Sequence, residues 1–570
     1  MRRIVIIGSG PSAIYALKEL IHSPTPFNIT IIESKSLAGV GNPYDPATND
    51  VAMLANIASV ELPPVVDRLS DWLRSQDDSR LAAVGVSRDE IDEHAFVPRI
   101  AIGAYYASQL HALVEAASHS GHSIDIRVES RVVDVVEGAE TIALTVEDAE
   151  GAYTTVSAEV VVIAIGHGDG EPSASRITAP AYPLESAPSG ARRIGVLGTS
   201  LSAIDVVVGV ALMHGTFDED DRVWRPRNEE AGEGPISITM MSRRGILPEA
   251  DFYAPHPYTP LSIFGLEKLE GGDMPAESLL DRAFLLFKEE ITVSDPDYAE
   301  AMRLHEATPD DMAERYFGPR LTCEPFEHAK SNLAEAIEGH RNRHVCAWRY
   351  AILRMHEPFE TLLPRFLPND RARFNKGLKG IFIDNYAAVP HRSIRRLLAL
   401  RDAGVLGIER LSSDYTISRT EDGIVVSTTR DLHFDHLYDA RGQRPRQAVE
   451  LPFPTLRLRL LAQSLREDET DLEEAQVEVD DCFALPAAPG STGRIYVTAV
   501  PYMLHERPFS QGLTAARDIG ARVGRAILAA DPQTSAGVDS KATLEELIES
   551  PLLRDALLLV NGEVVLSPGA

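Results

Sequence analysis

The 570-residue sequence predicts an α/β fold, with two similar doubly wound units and a mostly helical insertion. Three observations predict it. A short apolar strand runs into a small-residue turn and then a helical period, once at Arg3–Ala13 and again at Arg193–Ala203. Each of these starts is followed by short alternating strands and an apolar strand that ends at a glycine, Gly166 or Gly442. Between the second start and its closing strand, residues 261–402 carry mainly helical periodicity. A chain of this length needs more than one hydrophobic core.

The elements follow in order. Arg3–Ile7 is a strand, Gly8–Ala13 a tight turn, and Ser12–His22 a helix with Ile14, Leu17 and Ile21 on one face. Phe27–Ile32 is the next strand and ends at Glu33. Thr141–Val146 and Tyr153–Ser157 read as paired strands leading into the buried strand Glu159–Ile165. A proline-rich stretch, Glu171–Gly190, reads as a linker. The pattern then repeats, with a strand at Arg193–Leu197, a turn at Gly198–Ala203, a helix over Ser202–His214 and a strand at Ser237–Met241. After the insertion come strands at Tyr415–Ser418, Gly423–Thr428, His436–Ala440 and Ile495–Val500, and a closing helix over Leu513–Ala529. The domains are set at 1–185, 190–260, 261–402 (the insertion), 403–445 and 446–570, the last returning to the first unit.

The net charge of −30 makes general binding to nucleic acid or an anionic membrane unfavourable. No apolar run reaches the ~18–20 residues that span a bilayer. The three cysteines, Cys323, Cys346 and Cys482, form no CxxC, which argues against a disulfide framework, a metal site and a redox-active dithiol. A cytoplasmic enzyme is the expectation, and a homo-oligomer is left open. Glu467–Asp481, with nine acids in 15 residues, reads as a solvated acidic loop.

The first turn, Gly8-Ser9-Gly10-Pro11-Ser12-Ala13, fits G-x-G-x-x-A. Gly8 permits the sharp turn, Gly10 lets a pyrophosphate approach the backbone, and Ala13 lets the helix pack close to the strand. The helix start offers free N–H groups and partial positive charge to phosphate. Pro11 costs little there, because its missing N–H falls in the first turn. Glu33, followed by Ser34, can accept hydrogen bonds from a ribose diol. In the second turn, Gly198-Thr199-Ser200-Leu201-Ser202-Ala203, Ser200 replaces the middle glycine. Its acceptor strand ends in Arg243-Arg244, cations suited to a 2′-phosphate. These units are two Rossmann-like dinucleotide-binding domains, the first for FAD and the second for NADPH.

GSGPSA, GVGNPYDP with MLANIAS, FVPR, GTSLSAID and MSRRGILP together resemble the FAD-NAD(P)-binding flavoprotein family, which is related to the class B and N-hydroxylating flavin monooxygenases. The chain looks most like the monooxygenases that oxidise aspartate to nitrosuccinate. The resemblance implies that Tyr44, Leu54 and Asn56 lie against the flavin ring and Arg99 near its phosphate or edge, with Gly166 and Gln511 also at the cofactor. It implies a reaction with O₂ through a flavin C4a-hydroperoxide and a small acidic amine as substrate. Asn56 and His505 are the catalytic candidates; His505 is open equally to a proton-relay and a structural role. Arg392, Arg396 and Arg441 are the candidate substrate clamps. No protein metal ligand is expected. The alternatives are an N-hydroxylase of another amine, a Baeyer–Villiger-type oxygenase or NADPH oxidase, and a non-catalytic FAD-binding scaffold.

Overall fold

The computed structural model describes residues 1–166, 177–227, 235–269, 278–442, 444–466, 475–510 and 512–530. The first unit opens with β1 (Arg2–Ile7), α1 (Pro11–Leu20) and β2 (Phe27–Ile32). It continues through α2 (Arg99–His119), β3 (Ser123–Arg127), the antiparallel strands β4 (Arg131–Glu137), β5 (Ile142–Glu147) and β6 (Tyr153–Ala158), and β7 (Val160–Ile163). The strand Arg494–Val497, far along the chain, completes a parallel sheet beside β7, β1, β2 and β3, in that order. Layers on both faces bury these strands, so β1 and β7 are continuous apolar runs: Ile4, Ile6 and Val160–Ile163 are fully buried.

The second unit repeats this plan. It has β8 (Ala179–Pro180), β9 (Arg193–Leu197), α3 (Leu201–His214) and β10 (Ser237–Ser242) before the insertion. The insertion contains α4 (Leu279–Ser294), α5 (Met312–Leu321), α6 (Pro325–Asn342), α7 (Ala347–Leu362) and α8 (Leu378–Tyr386). After it come α9 (His391–Asp402), β11 (Leu406–Arg410), the antiparallel strands β12 (Thr416–Thr420), β13 (Gly423–Ser427) and β14 (Asp431–Phe434), and β15 (His436–Asp439). The parallel sheet order is β11-β10-β9-β15-β8. It matches the first sheet position for position, with β8 standing where Arg494–Val497 stands in the first unit.

Each meander has three strands where the sequence reading has two. The extra members are β4, whose register shifts between Val132 and Asp134, and the four-residue β14. Both are too short or irregular for alternation to announce them. The sequence reading also puts α9 in the insertion. In the structure Ile394, Leu397 and Leu400 of α9, and Phe326 and Leu333 of α6, join the core of the second unit. The rest of the insertion has its own aromatic core around Phe287, Phe359, Phe374 and Phe382, into which Phe509 of the C-terminal return also inserts. Of the acidic stretch, 467–474 lie outside the described residues; beyond them Glu478, Asp480 and Asp481 are exposed, as expected of solvated acids, while Ala475 and Val477 before them are buried and anchor the segment.

The final helix, α10 (Gly512–Ala529), lies against α1. A Cβ on Gly520 would sit 2.3 Å from the Ser12 carbonyl oxygen, and one on Gly524 would sit 2.6 Å from the Glu19 Cβ. Only glycines permit so close a crossing. Among the described residues no helix is long and apolar enough to cross a membrane.

Candidate functional site

The first turn is tightly held. Gly8 has φ +91°, and a Cβ on it would lie 2.5 Å from the Ala164 carbonyl oxygen at the end of β7. Ser9, a residue the motif leaves as x, is buried and ties the turn together. Its backbone N–H and hydroxyl both donate to Glu33 Oε2, at 3.0 and 2.6 Å, and its Oγ accepts from Gly39 N at 2.8 Å. Glu33 Oε1 accepts from Lys35 N at 3.1 Å and from the Ser34 hydroxyl at 3.4 Å. The acid expected to face a ribose therefore also locks the turn. Gly10 is the N-cap of α1; no side chain caps the helix and no acid sits in its first turn. The backbone N–H groups of Ser12 and Ala13, after the N–H-free Pro11, are thus left for an anion.

The segment expected at the flavin ring, Met53–Asn56, pairs with Val97–Arg99. Ala55 N donates to Val97 O and Arg99 N to Met53 O, both at 2.9 Å. Arg99 is a clamp at a domain junction. Its Nε donates to Leu54 O at 3.3 Å, its Nη1 to the Tyr182 hydroxyl at 2.9 Å, and its Nη2 pairs with Asp205 Oδ2 at 2.6 Å. Asp205 belongs to α3 of the second unit, and the Tyr182 hydroxyl also donates to it. Burial pushes the Asp205 carboxyl up, and Arg99 opposes that. Arg99 thus has a carboxylate as the counter-charge that a buried guanidinium needs, while its Nε stays on the segment expected at the flavin ring.

Arg396 makes a second clamp. Its Nη1 donates to Ala52 O at 2.9 Å and its Nε pairs with Asp221 at 2.7 Å. Arg392 pairs with the other oxygen of Asp221 at 2.5 Å. Arg441 is held by Asp439 at 2.6 Å and by the Tyr415 hydroxyl at 2.8 Å. All three candidate substrate arginines thus have internal carboxylate partners; Arg392 and Arg396 share Asp221, and Arg441 is paired apart from them with Asp439.

Asn56 is half-buried, and its Oδ1 is buried with no hydrogen-bond partner. Tyr44 packs near Tyr106 and burial pushes its hydroxyl up to about 12, so it stays protonated. His505 lies in the return before α10, where burial, and then the nearby Arg371 charge, lower it to about 4. It is neutral at pH 7, which makes it an acceptor rather than a resting proton donor. Its Nδ1 is buried without a partner. Gln511 lies outside the described residues. Gly166, with φ +58°, follows β7.

The second turn copies the first. Gly198 has φ +122°, and a Cβ on it would lie 2.5 Å from the Ala440 carbonyl oxygen. Ser200 is the N-cap of α3, again with no side-chain cap, and Leu201 and Ser202 open the helix. At the end of β10 the two arginines differ. Arg243 is exposed and its side chain has no ion pair among the described residues, whereas the Arg244 guanidinium lies 3.8 Å over the Phe317 ring. Thr199 Oγ1 donates to Ser242 Oγ at 3.2 Å, a weaker lock than Ser9–Glu33.

These features fit FAD. An uncapped helix N-terminus follows a turn that excludes side chains, and an orphaned buried amide oxygen at Asn56 lies in the segment expected at the ring. The cysteines are free, and no group of His, Cys, Asp and Glu among the described residues is placed to hold a metal.

Comparison with known proteins gives the class first. Residues 5–168 match the FAD-NAD(P)-binding family, so the first unit is a dinucleotide-binding domain for FAD and NAD(P). The chain is also 38% identical over 534 residues to the YdhS protein of Escherichia coli (strain K12), covering 93% of this chain and 98% of that one. Residues 268–386 match the YdhS-like middle domain. The chain belongs to the YdhS family. Among solved structures it is similar to the ornithine N-hydroxylase of Kutzneria sp. 744, with TM-score 0.45, 15% identity and coverage of 92% and 98% of the two chains. It is similar to the reduced ornithine hydroxylase of Pseudomonas aeruginosa, with TM-score 0.46, 13% identity and coverage of 93% and 99%. A third is the L-lysine 6-monooxygenase of Pseudomonas syringae, with TM-score 0.45, 14% identity and coverage of 92% and 99%.

Proposed function

We propose that this protein is an FAD- and NADPH-dependent amine N-monooxygenase. The observation that carries this reading is the clamped Met53–Asn56 segment. It belongs to the FAD unit, yet Arg99 holds its Leu54 carbonyl against Asp205, and Arg396 holds the preceding Ala52 carbonyl against Asp221, both acids of the second unit. Two nucleotide units joined across one such segment suit electron transfer between two cofactors. FAD held there would supply the redox chemistry by which NADPH and O₂ oxygenate the amine, with the second oxygen atom leaving as water.

The chain's own residues do the rest. The Gly8–Ala13 turn and the start of α1 hold the pyrophosphate, and the Ser9–Glu33 pair keeps that turn rigid. Asn56 Oδ1, buried and without a partner, would be the acceptor for a hydrogen bond from the bound flavin. Neutral His505 can accept a proton but does not deliver one at rest. Arg243 takes the 2′-phosphate of NADPH, while Arg244, stacked on Phe317, ties that strand end to the insertion.

L-Aspartate, oxidised stepwise to nitrosuccinate, is the finer form of this reading. It needs carboxylate clamps other than Arg392, Arg396 and Arg441, which already have acid partners. The test is purification in the presence of FAD, followed by NADPH and O₂ consumption with aspartate, glutamate, lysine, ornithine and simple amines, with hydroxylamine, nitroso and peroxide products assayed. We expect a yellow protein whose amine oxidation matches its NADPH use. A yellow protein that converts all its NADPH consumption to peroxide, whatever amine is offered, would overturn the reading.

A further inference from the structure

Three tyrosines of the first unit are fully buried, and the proposed reaction uses none of them: Tyr15 of α1 and Tyr105 and Tyr106 of α2. Their rings continue a series that starts at Tyr44. Ring centroids lie 6.5 Å apart from Tyr44 to Tyr106, 5.2 Å from Tyr106 to Tyr105, and 5.8 Å from Tyr105 to Trp72. Tyr15 forms a side branch, 6.1 Å from Tyr106. Trp72 is half-buried on the helix Leu69–Ser75, and its Nε1 donates to Ser108 Oγ at 3.0 Å. The rings thus run without a gap from Tyr44 to a side chain that reaches solvent.

The inner end stands between the two parts of the flavin site. Tyr44 N donates to Gly41 O at 3.1 Å, and a Cβ on Gly41 would lie 2.9 Å from Pro11 Cδ in the phosphate-binding turn. The Tyr44 hydroxyl also feels the charge of Arg99, whose Nε holds Leu54 O. A dinucleotide with its pyrophosphate at the start of α1 and its ring on Met53–Asn56 would pass Tyr44.

Packing alone does not ask for tyrosine here. The insertion fills its core with Phe287, Phe359, Phe374 and Phe382, similar rings with no hydroxyl to satisfy. A buried hydroxyl must find a partner. Tyr15 donates to Pro63 O, Tyr105 donates to Asp67 O at 2.7 Å, and the Tyr15 and Tyr106 hydroxyls meet at 3.1 Å. Tyr106, the centre of the series, therefore gains only the hydroxyl of another buried tyrosine. What tyrosine and tryptophan have and phenylalanine lacks is ready one-electron oxidation. The three buried hydroxyls donate to no carboxylate or histidine among the described residues, and burial pushes all three up. Such a ring keeps its proton when it loses an electron, so it passes the deficit on. An indole is oxidised more easily with its proton in place, so the deficit settles on Trp72.

We propose that Tyr44, Tyr106, Tyr105 and Trp72 form an electron path that carries a one-electron oxidising equivalent from the flavin pocket to the protein surface. The proposal rests on FAD in the first unit and not on the identity of the substrate. Its oxidant is the flavin excited by blue light. One electron moves to the flavin from Tyr44 and is replaced in turn from Tyr106, Tyr105 and Trp72. The net donor is the Trp72 indole, whose N–H proton passes by way of Ser108 to water. A thiol in solution then returns one hydrogen atom to Trp72.

The experiment uses the full-length FAD-loaded protein without oxygen, NADPH or amine. A blue flash starts the transfer, and transient absorption and electron paramagnetic resonance read the radical. A tryptophanyl radical should form in the unaltered protein and vanish in Trp72→Phe. It should persist in Trp348→Phe, which alters an indole stacked on Tyr298 in the insertion. Tyr106→Phe keeps the ring but not its ready oxidation, so the radical yield should fall about 10-fold, the change that ~1.4 kcal/mol of added barrier produces. The flash on the unaltered protein stands even if a variant misfolds. A yellow protein that forms no tryptophanyl radical would overturn the path and leave the flavin reading in place. A yield unchanged in both Tyr105→Phe and Tyr106→Phe would do the same. A protein that stays colourless in the presence of FAD would remove both.

Discussion

The two nucleotide units share one design and differ where a nucleotide's two ends would be told apart. In both, a parallel sheet of the same order carries a turn whose first glycine would collide, at the same 2.5 Å, with a carbonyl of the crossover strand. The first unit then places Gly10 where the second places Ser200, and ends its second strand at Glu33 rather than at Arg243. In the first unit the acid also locks the turn through Ser9; in the second the free cation stands clear of it. The lesson is that the scaffold can be duplicated while a few side chains at the strand ends sort two similar cofactors. An acid suits a bare ribose and a free guanidinium suits a 2′-phosphate.

The comparison can be broken most directly at its shared glycines. Gly8→Ala should abolish FAD retention, read as visible absorbance per protein. Gly198→Ala should stay yellow while losing NADPH-driven flavin reduction. If both variants keep FAD and both reduce normally, the two turns are not nucleotide sites.

Next in size is the bond between the units. Asp205→Asn leaves the buried Arg99 without its counter-charge, and breaking such a pair costs about 3–5 kcal/mol. Urea unfolding should show that loss. Since Arg99 also grips Leu54 O, the flavin spectrum should shift as well. A variant with unchanged stability and spectrum would mean that the units are joined elsewhere.

His505 belongs to the segment that completes the first unit and has no counterpart in the second. Its folded value of about 4 lies below the ordinary histidine value. On acidification the unfolded chain therefore binds the proton first. Its contribution is intact above about pH 6.5 and is lost as the pH falls towards 4, amounting to about 3 kcal/mol when complete. The urea midpoint of the unaltered protein should drop across that window, and His505→Gln should flatten the drop. An identical slope in both would rule this out.

The finest test concerns the cation. Arg243→Ala should raise the KM for NADPH about 10–100-fold and leave NADH use unchanged, the scale of roughly 1.5–3 kcal/mol for a charge-assisted hydrogen bond. Arg244→Ala should do less, because that guanidinium is already on Phe317. Equal KM values for both nucleotides in the unaltered protein would remove the distinction.

Much of this was legible in the sequence because it is local. A strand, a glycine turn and a helix lie within a dozen residues, and apolar periodicity carries them. What was not legible depends on distant partners. Nothing near Arg392 or Arg396 announces Asp221, and nothing near Arg99 announces Asp205, so guanidiniums that look available are committed by the fold. Ser9 was missed because the turn motif treats its position as free, although its hydroxyl binds the acid that the same motif singles out. The cleft beside Asp251 is lined from four separate segments, which no one-dimensional pattern brings together.

The crossing of α10 over α1 sets an order of assembly. β1 and α1 are made before the second unit, but the strand Arg494–Val497 and the helix that seats Gly520 and Gly524 on Ser12 and Glu19 are made after it. While the chain emerges from the ribosome, the first unit keeps an open sheet edge and an uncovered helix face, and the second unit and insertion are synthesised in between. The first unit thus closes only after the second unit and the insertion have been made. Any truncation within the final described helix acts on the first turn from the opposite end of the sequence.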